Sequence, residues 1–169
     1  MTGPMKHKGM PGRGRQDRRI REMDHDPYHS KLKLSGPAVC SQCGVVFADG
    51  RWQWGEPGHE YREVVCPACQ RVRDRVPAGF LTLKGAFLGR HRDEIENLVR
   101  NVEEREKAHH PMKRIMGFDE QDGALVVTFT EPRLARGAGE AVEDAFEGEL
   151  AIQYSEDEFL LRVYWTREA

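Results

Sequence analysis

The residues best suited to chemistry in this 169-residue chain are its four cysteines, set in two pairs: Cys40-Ser41-Gln42-Cys43 and Cys66-Pro67-Ala68-Cys69, with 22 residues between them. Two C-x-x-C knuckles, each at the tip of a hairpin, can arrange four thiolates tetrahedrally around one Zn²⁺. Gly44 follows Cys43 directly, where a side chain would crowd a tight knuckle. Tetrahedral sulfur also suits iron, a single C-x-x-C could do redox chemistry, and an exported protein could oxidise the set to two disulfides. Two matched pairs flanking a hairpin fit a closed zinc site best. Such a site has no open coordination position, so its zinc is structural rather than catalytic.

Two tryptophans lie near the expected metal. Trp52 and Trp54 are two apart on a strand and project from one face, with Arg51 and Gln53 on the other. They can form the small core a ribbon otherwise lacks, or a stacking platform for bases or for a partner's apolar patch. Arg71, Arg73 and Arg75 alternate after Cys69, and an extended chain would put all three on one face able to follow a phosphate backbone. Arg13, Arg15, Arg18 and Arg19 lie in a Gly- and Pro-containing N-terminal stretch that reads either as a solvated tail or as an arm contacting phosphates. The net charge of −2 hides an asymmetry: residues 1–79 carry 14 Lys+Arg against 9 Asp+Glu, residues 80–169 carry 12 against 19. A polyanion would be drawn to the first half.

Other groups are weaker candidates. His91 and the pair His109–His110 fall at opposite ends of one expected helix, too far apart to share a ligand set. Glu94, Glu96, Glu103, Glu104 and Glu106 read as a solvated helix face. Arg133 and Arg136 sit in the first turn of another helix beside Gly137 and Gly139; that turn could hold a phosphate, or its glycines could serve close packing. The chain has no P-loop, G-x-G-x-x-G, G-x-S-x-G or H-E-x-x-H motif, and nothing pairs a nucleophile with a base. It is therefore expected to be non-enzymatic, without a small-molecule substrate.

The elements that must position these residues follow from pattern. Val45–Phe47 and Arg51–Trp54 form a hairpin about Asp49-Gly50, and Tyr61–Val65 is a third short strand. Residues 78–88 read as strand and loop. A helix over about 90–107 is expected from Ile95, Leu98, Val99 and Val102 on one stripe, with Pro111 marking its end. Strands near 114–118 and 124–130 follow, joined at Asp122-Gly123. Pro132 opens a second helix with Leu134, Ala138, Ala141, Val142 and Ala145 on its apolar side, closed by Gly148. Strands near 149–154 and 158–165 complete the order. The expected class is α+β: an N-terminal four-cysteine zinc ribbon, then a β-α-β-β-α-β-β, ferredoxin-like sandwich. The divisions are a disordered basic arm over 1–30, the ribbon over 31–78 and the α+β domain over 79–169.

No apolar run approaches the ~20 residues that cross a bilayer, and no apolar stretch follows the N-terminal basic residues as a secretory signal requires. A cytoplasmic protein without membrane association is expected. Cys40-x-x-Cys43-Gly44, Gly50-Arg51-Trp52-x-Trp54, Cys66-Pro67-x-Cys69, Pro77-Ala78-Gly79 and Leu134-Ala135-Arg136-x-x-Gly139-Glu140-Ala141 resemble a family of small bacterial zinc-ribbon proteins without an established role, over about residues 15–167. The C-terminal part is similar to the N-terminal region of the archaeal and eukaryotic adaptor for nuclear export of the large ribosomal subunit, through Asp122-Gly123-Ala124-Leu125 and Leu134-Ala135-Arg136. The adaptor carries further C-x-x-C pairs; this chain has two. The resemblance implies association with RNA or the ribosome. A protein–protein adaptor or transcription-associated regulator, docking through the ribbon, is the alternative expectation.

Overall fold

The structure, a computed structural model, describes residues 26–28, 34–155 and 159–169. The arm residues Arg13, Arg15, Arg18 and Arg19 lie outside them. Of the segment expected to be a disordered arm over 1–30, the structure describes residues 26–28, where Asp26 and Tyr28 are buried.

The ribbon is a four-stranded sheet, order β3-β2-β1-β4, of β1 (Ala38–Cys40), β2 (Val46–Ala48), β3 (Arg51–Gln53) and β4 (Arg62–Val64). Asp49 and Gly50 turn β2 into β3 with φ of 53° and 80°, the two positive values of a type I′ hairpin turn. β1, not foreseen in the sequence, lies between β2 and β4 and pairs in parallel with β4. Residues 71–75 are not extended. Cys66 caps a helix, α1 (Pro67–Asp74), that ends on Arg75 in the left-handed conformation. The signal was Pro67 itself: proline at the first helical position has the right φ and lacks only an N–H that would be unpaired there.

The second sheet, order β6-β7-β5-β9-β8, comprises β5 (Gly79–Lys84), β6 (Ile115–Gln121), β7 (Ala124–Phe129), β8 (Glu149–Ser155) and β9 (Leu160–Thr166). Between the strands run α2 (Ala86–His109) and α3 (Pro132–Phe146). The element order is the expected one, in a mixed sheet. β7 is antiparallel to β5, whereas β9 runs parallel to β5 and puts β8 on the edge. The added strand, not the one following α3, thus takes the place beside β5, a departure from a plain ferredoxin-like arrangement.

One core joins the layers: Leu81 and Leu83 of β5, Leu125, Val127 and Phe129 of β7, and Leu161, Val163 and Trp165 of β9 meet Ile95, Val99 and Val102 of α2 and Leu134, Ala138 and Val142 of α3. The period-2 and helical stripes read from the sequence are the faces that meet here. α2 starts four residues earlier than expected, with Phe87 and Leu88 buried and non-helical backbone at His91. Ala145, assigned to the apolar side of α3, is exposed.

Gly139 lets α3 approach the sheet: a Cβ there would lie 2.6 Å from Val163 Cγ1 and 3.2 Å from Leu150 Cδ1. Gly139→Val is therefore expected to destabilise the fold by about 1–3 kcal/mol through overpacking. Gly137→Ala, with nothing near its Cβ, serves as the tolerated comparison in denaturant titrations.

Candidate metal centre

The four cysteines converge from two elements of the ribbon. Cys40 ends β1 and Cys43 follows in the turn, where Gly44 N–H donates to Cys40 O at 2.9 Å with Gly44 at φ 82°. Cys66 and Cys69 belong to the first turn of α1. Sulfurs about 2.3 Å from a central ion at tetrahedral angles lie about 3.8 Å apart. Cys43 Sγ and Cys66 Sγ are 3.8 Å apart, and all four sulfurs lie within 4.8 Å of one another. Backbone N–H groups point at the sulfurs, as thiolates require: Gln42 N and Cys66 N donate to Cys40 Sγ at 3.4 and 3.3 Å, and Cys69 N to Cys66 Sγ at 3.4 Å. The last is the N-cap bond of α1, where the helix dipole also favours negative charge. These donors and this spacing fit one four-coordinate metal ion of the sulfur-preferring kind.

The Cys43 thiol is pulled down to about 4, first by the hydrogen bond it shares with Cys66, then by the Val45 N–H and Arg114, against the opposing effect of burial. Cys66 is pushed up, by that same shared bond first and by burial second. The two behave as a pair holding one proton between them. A metal ion displaces such a proton on binding.

Arg114 was not anticipated from the sequence. It is buried just before β6, at the start of the first hairpin of the α+β region, with its Nη2 3.1 Å from Cys43 Sγ and 3.9 Å from Cys66 Sγ, its Nη1 3.3 Å from Cys69 Sγ, and its Nε donating to Pro111 O at 2.8 Å. Burial works against its charge, but the Cys43 hydrogen bond and the neighbouring sulfurs hold its pKa above the ordinary value. Thr130 fixes its backbone: Arg114 N donates to Thr130 Oγ1 and Thr130 N to Arg114 O, both at 2.9 Å. No local sequence pattern marks an arginine that acts on cysteines 45–71 positions away.

The other expected site residues separate. Trp52 is buried in the ribbon core with Cys40, Val45, Cys66 and Ala68, its ring edge-on to Phe47 at 5.1 Å. Trp54 is half-exposed; its Nε1 donates to Lys107 O at 2.8 Å, at the end of α2, and Arg114 lies 5.6 Å from its ring. Arg51, Arg73 and Arg75 are exposed, whereas Arg71 is 3% exposed. Arg71 forms a buried 2.8 Å ion pair with Asp26, donates to Val76 O and lies over the Tyr28 ring at 4.5 Å. The expectation that Arg71, Arg73 and Arg75 share one face is corrected, because their segment is helical and positions two apart diverge by roughly 200°.

The four cysteines are the sole metal-holding cluster of Cys, His, Asp and Glu among the described residues. His91 instead contacts Glu94 at 2.8 Å. At the start of α3, Glu131 caps its own helix by accepting from Leu134 N at 2.7 Å, so the place a phosphate would take is filled by a carboxylate. Burial raises the pKa of Glu131, opposed by Lys113 and by the backbone it caps. Beside it, Asp26, Pro67, Ala68, Met112, Thr130, Glu131 and Phe159 line a cavity of about 210 Å³ between ribbon and α+β unit. No described helix is long and apolar enough to cross a membrane.

No protein-family model, curated protein or solved structure is found to match the chain.

Proposed function

We propose that this chain is a non-enzymatic zinc-binding protein that associates with RNA, ribosomal RNA in particular, through its ribbon. The observation that carries the reading is the closed set of four sulfurs within 4.8 Å of one another, which leaves a bound ion no open position for water or substrate. Among the described residues the cavity nearby supplies no catalytic pair: Asp26 is tied to Arg71 and Glu131 caps α3. The ribbon's outer arginines, Arg51, Arg73 and Arg75, are the residues that would meet phosphates. Cytoplasmic placement goes with this reading.

A protein adaptor is the second reading, favoured by Tyr61, Val72 and Val76, large apolar side chains of the ribbon that are all more than 40% exposed. A salt titration separates the two. If each arginine neutralises about one phosphate, changing Arg51, Arg73 and Arg75 to Ala should reduce the salt slope of log K for RNA by roughly 2–3. Zinc content should not change. Absence of RNA affinity at low salt would sink the first reading and leave the adaptor.

A further inference from the structure

Two folding units meet at the metal. From the ribbon come the four sulfurs and Trp54; from the α+β unit come Arg114, Met112 and the end of α2. Met112 packs into the ribbon's small core, Trp54 Nε1 bonds Lys107 O, and Arg114 reaches three of the four sulfurs. Arg114 is the informative member. It is a buried cation, and among the described residues its side chain donates to one carbonyl and three sulfurs, with no carboxylate among its partners.

A buried guanidinium is costly unless an anion stands beside it. Here the anion is supplied by the cysteines. Four thiolates around a divalent ion retain two negative charges, and Arg114 cancels one of them. Once the metal leaves, nothing holds the four sulfurs together, because among the described residues the ribbon's own core is five buried side chains, two of them ligands. The guanidinium then loses the sulfur partners its burial requires. Its nearest remedy is to return to water, which the ribbon blocks while it stays in place.

We propose that the metal centre is the clasp between ribbon and α+β unit, with Arg114 as its pin, so that the two part when the metal leaves. This rests on the zinc reading above and adds to it a function for the ion beyond folding the ribbon: metal occupancy sets whether the two units present one joint surface. The core of the second sheet holds none of the metal ligands, so it keeps its packing when the clasp opens. Arg114 is a positioning residue, acting on the metal through the sulfurs it contacts. Outer partners of this kind typically contribute 10–100-fold, roughly, to metal affinity.

The test uses the full chain, zinc-loaded and then stripped with EDTA, read by amide hydrogen exchange. On stripping, amides of residues 107–115 and 130 should exchange at least about tenfold faster, while the buried amides of β5, β7 and β9 keep their protection. In cobalt-loaded protein, Arg114→Met should shift the thiolate-to-cobalt charge-transfer band and speed metal transfer to a chelator about 10–100-fold, with Arg114→Lys recovering part of both. Seam amides that stay protected after stripping would overturn the clasp. So would loss of protection in the second sheet together with the ribbon, and so would an unchanged band and transfer rate in Arg114→Met. Should that variant fail to fold, the wild-type exchange experiment decides alone. Native protein without bound zinc would overturn the zinc reading and the clasp together; zinc present with an unaffected seam would overturn the clasp only.

Discussion

A Cys66→Ser protein is expected to carry no stoichiometric zinc and to have an unfolded ribbon. Cys66 is fully buried, faces Cys43 at 3.8 Å and accepts the first hydrogen bond of α1. Serine can keep the helix cap, since its hydroxyl suits that position. It cannot supply the thiolate, so the variant isolates the metal from the cap. The ribbon's own core is small: five buried residues among those described, two of them ligands. Without the ion it has little apolar burial to set against chain entropy. Apparent binding energies of structural zinc in small modules are about 10–16 kcal/mol, far more than any single contact here. Elemental analysis and amide dispersion check the result; a folded, zinc-loaded Cys66→Ser protein would refute the four-sulfur site.

The second large effect is expected at Arg71. Arg71→Ala leaves the buried Asp26 carboxylate without the guanidinium 2.8 Å away and removes the bond to Val76 O. Breaking one side of a buried pair costs about 3–5 kcal/mol, because the remaining charge stays desolvated. Arg73→Ala, at an exposed side chain paired with Asp74, should leave the denaturant midpoint close to the wild-type value, because solvent screens an exposed pair. Denaturant midpoints of the two variants provide the comparison. Equal midpoints would show that the Asp26–Arg71 pair contributes nothing.

Arg71 also shows where sequence reading reaches its limit. Four cysteines in two C-x-x-C pairs, the Asp-Gly turns and the stripe through Ile95, Val99 and Val102 are local patterns, and each was legible because its physics operates within a few residues. The strand and helix order of the second sheet was readable for the same reason. Arg71 was read as surface charge because the residue that buries it, Asp26, is 45 positions away. Arg114 was passed over because its sulfurs lie 45–71 positions away. Both are arginines, whose type predicts exposure, and only tertiary structure reveals the anion that overrides it. The helix after Cys66 is different in kind. Its signal, Pro67, was local, and was outweighed by an alternating pattern of arginines that has meaning only for an extended chain, which this segment is not.

The pairing of β5 with β9 has a consequence for how the molecule is made. β5 precedes β9 in the chain by a hairpin, two helices and an edge strand, yet the two run side by side in the sheet interior. While the polypeptide is being synthesised, β5, β6 and β7 emerge first and can pair among themselves. The far side of β5 then shows a row of unpaired N–H and C=O groups, and α3 has only part of the surface it will cover. Such an edge invites any free strand to add to it. The nascent molecule therefore passes through an interval of vulnerability that closes only when residues 160–166 arrive, and a message cut short before them would yield a product prone to self-association rather than a smaller working protein.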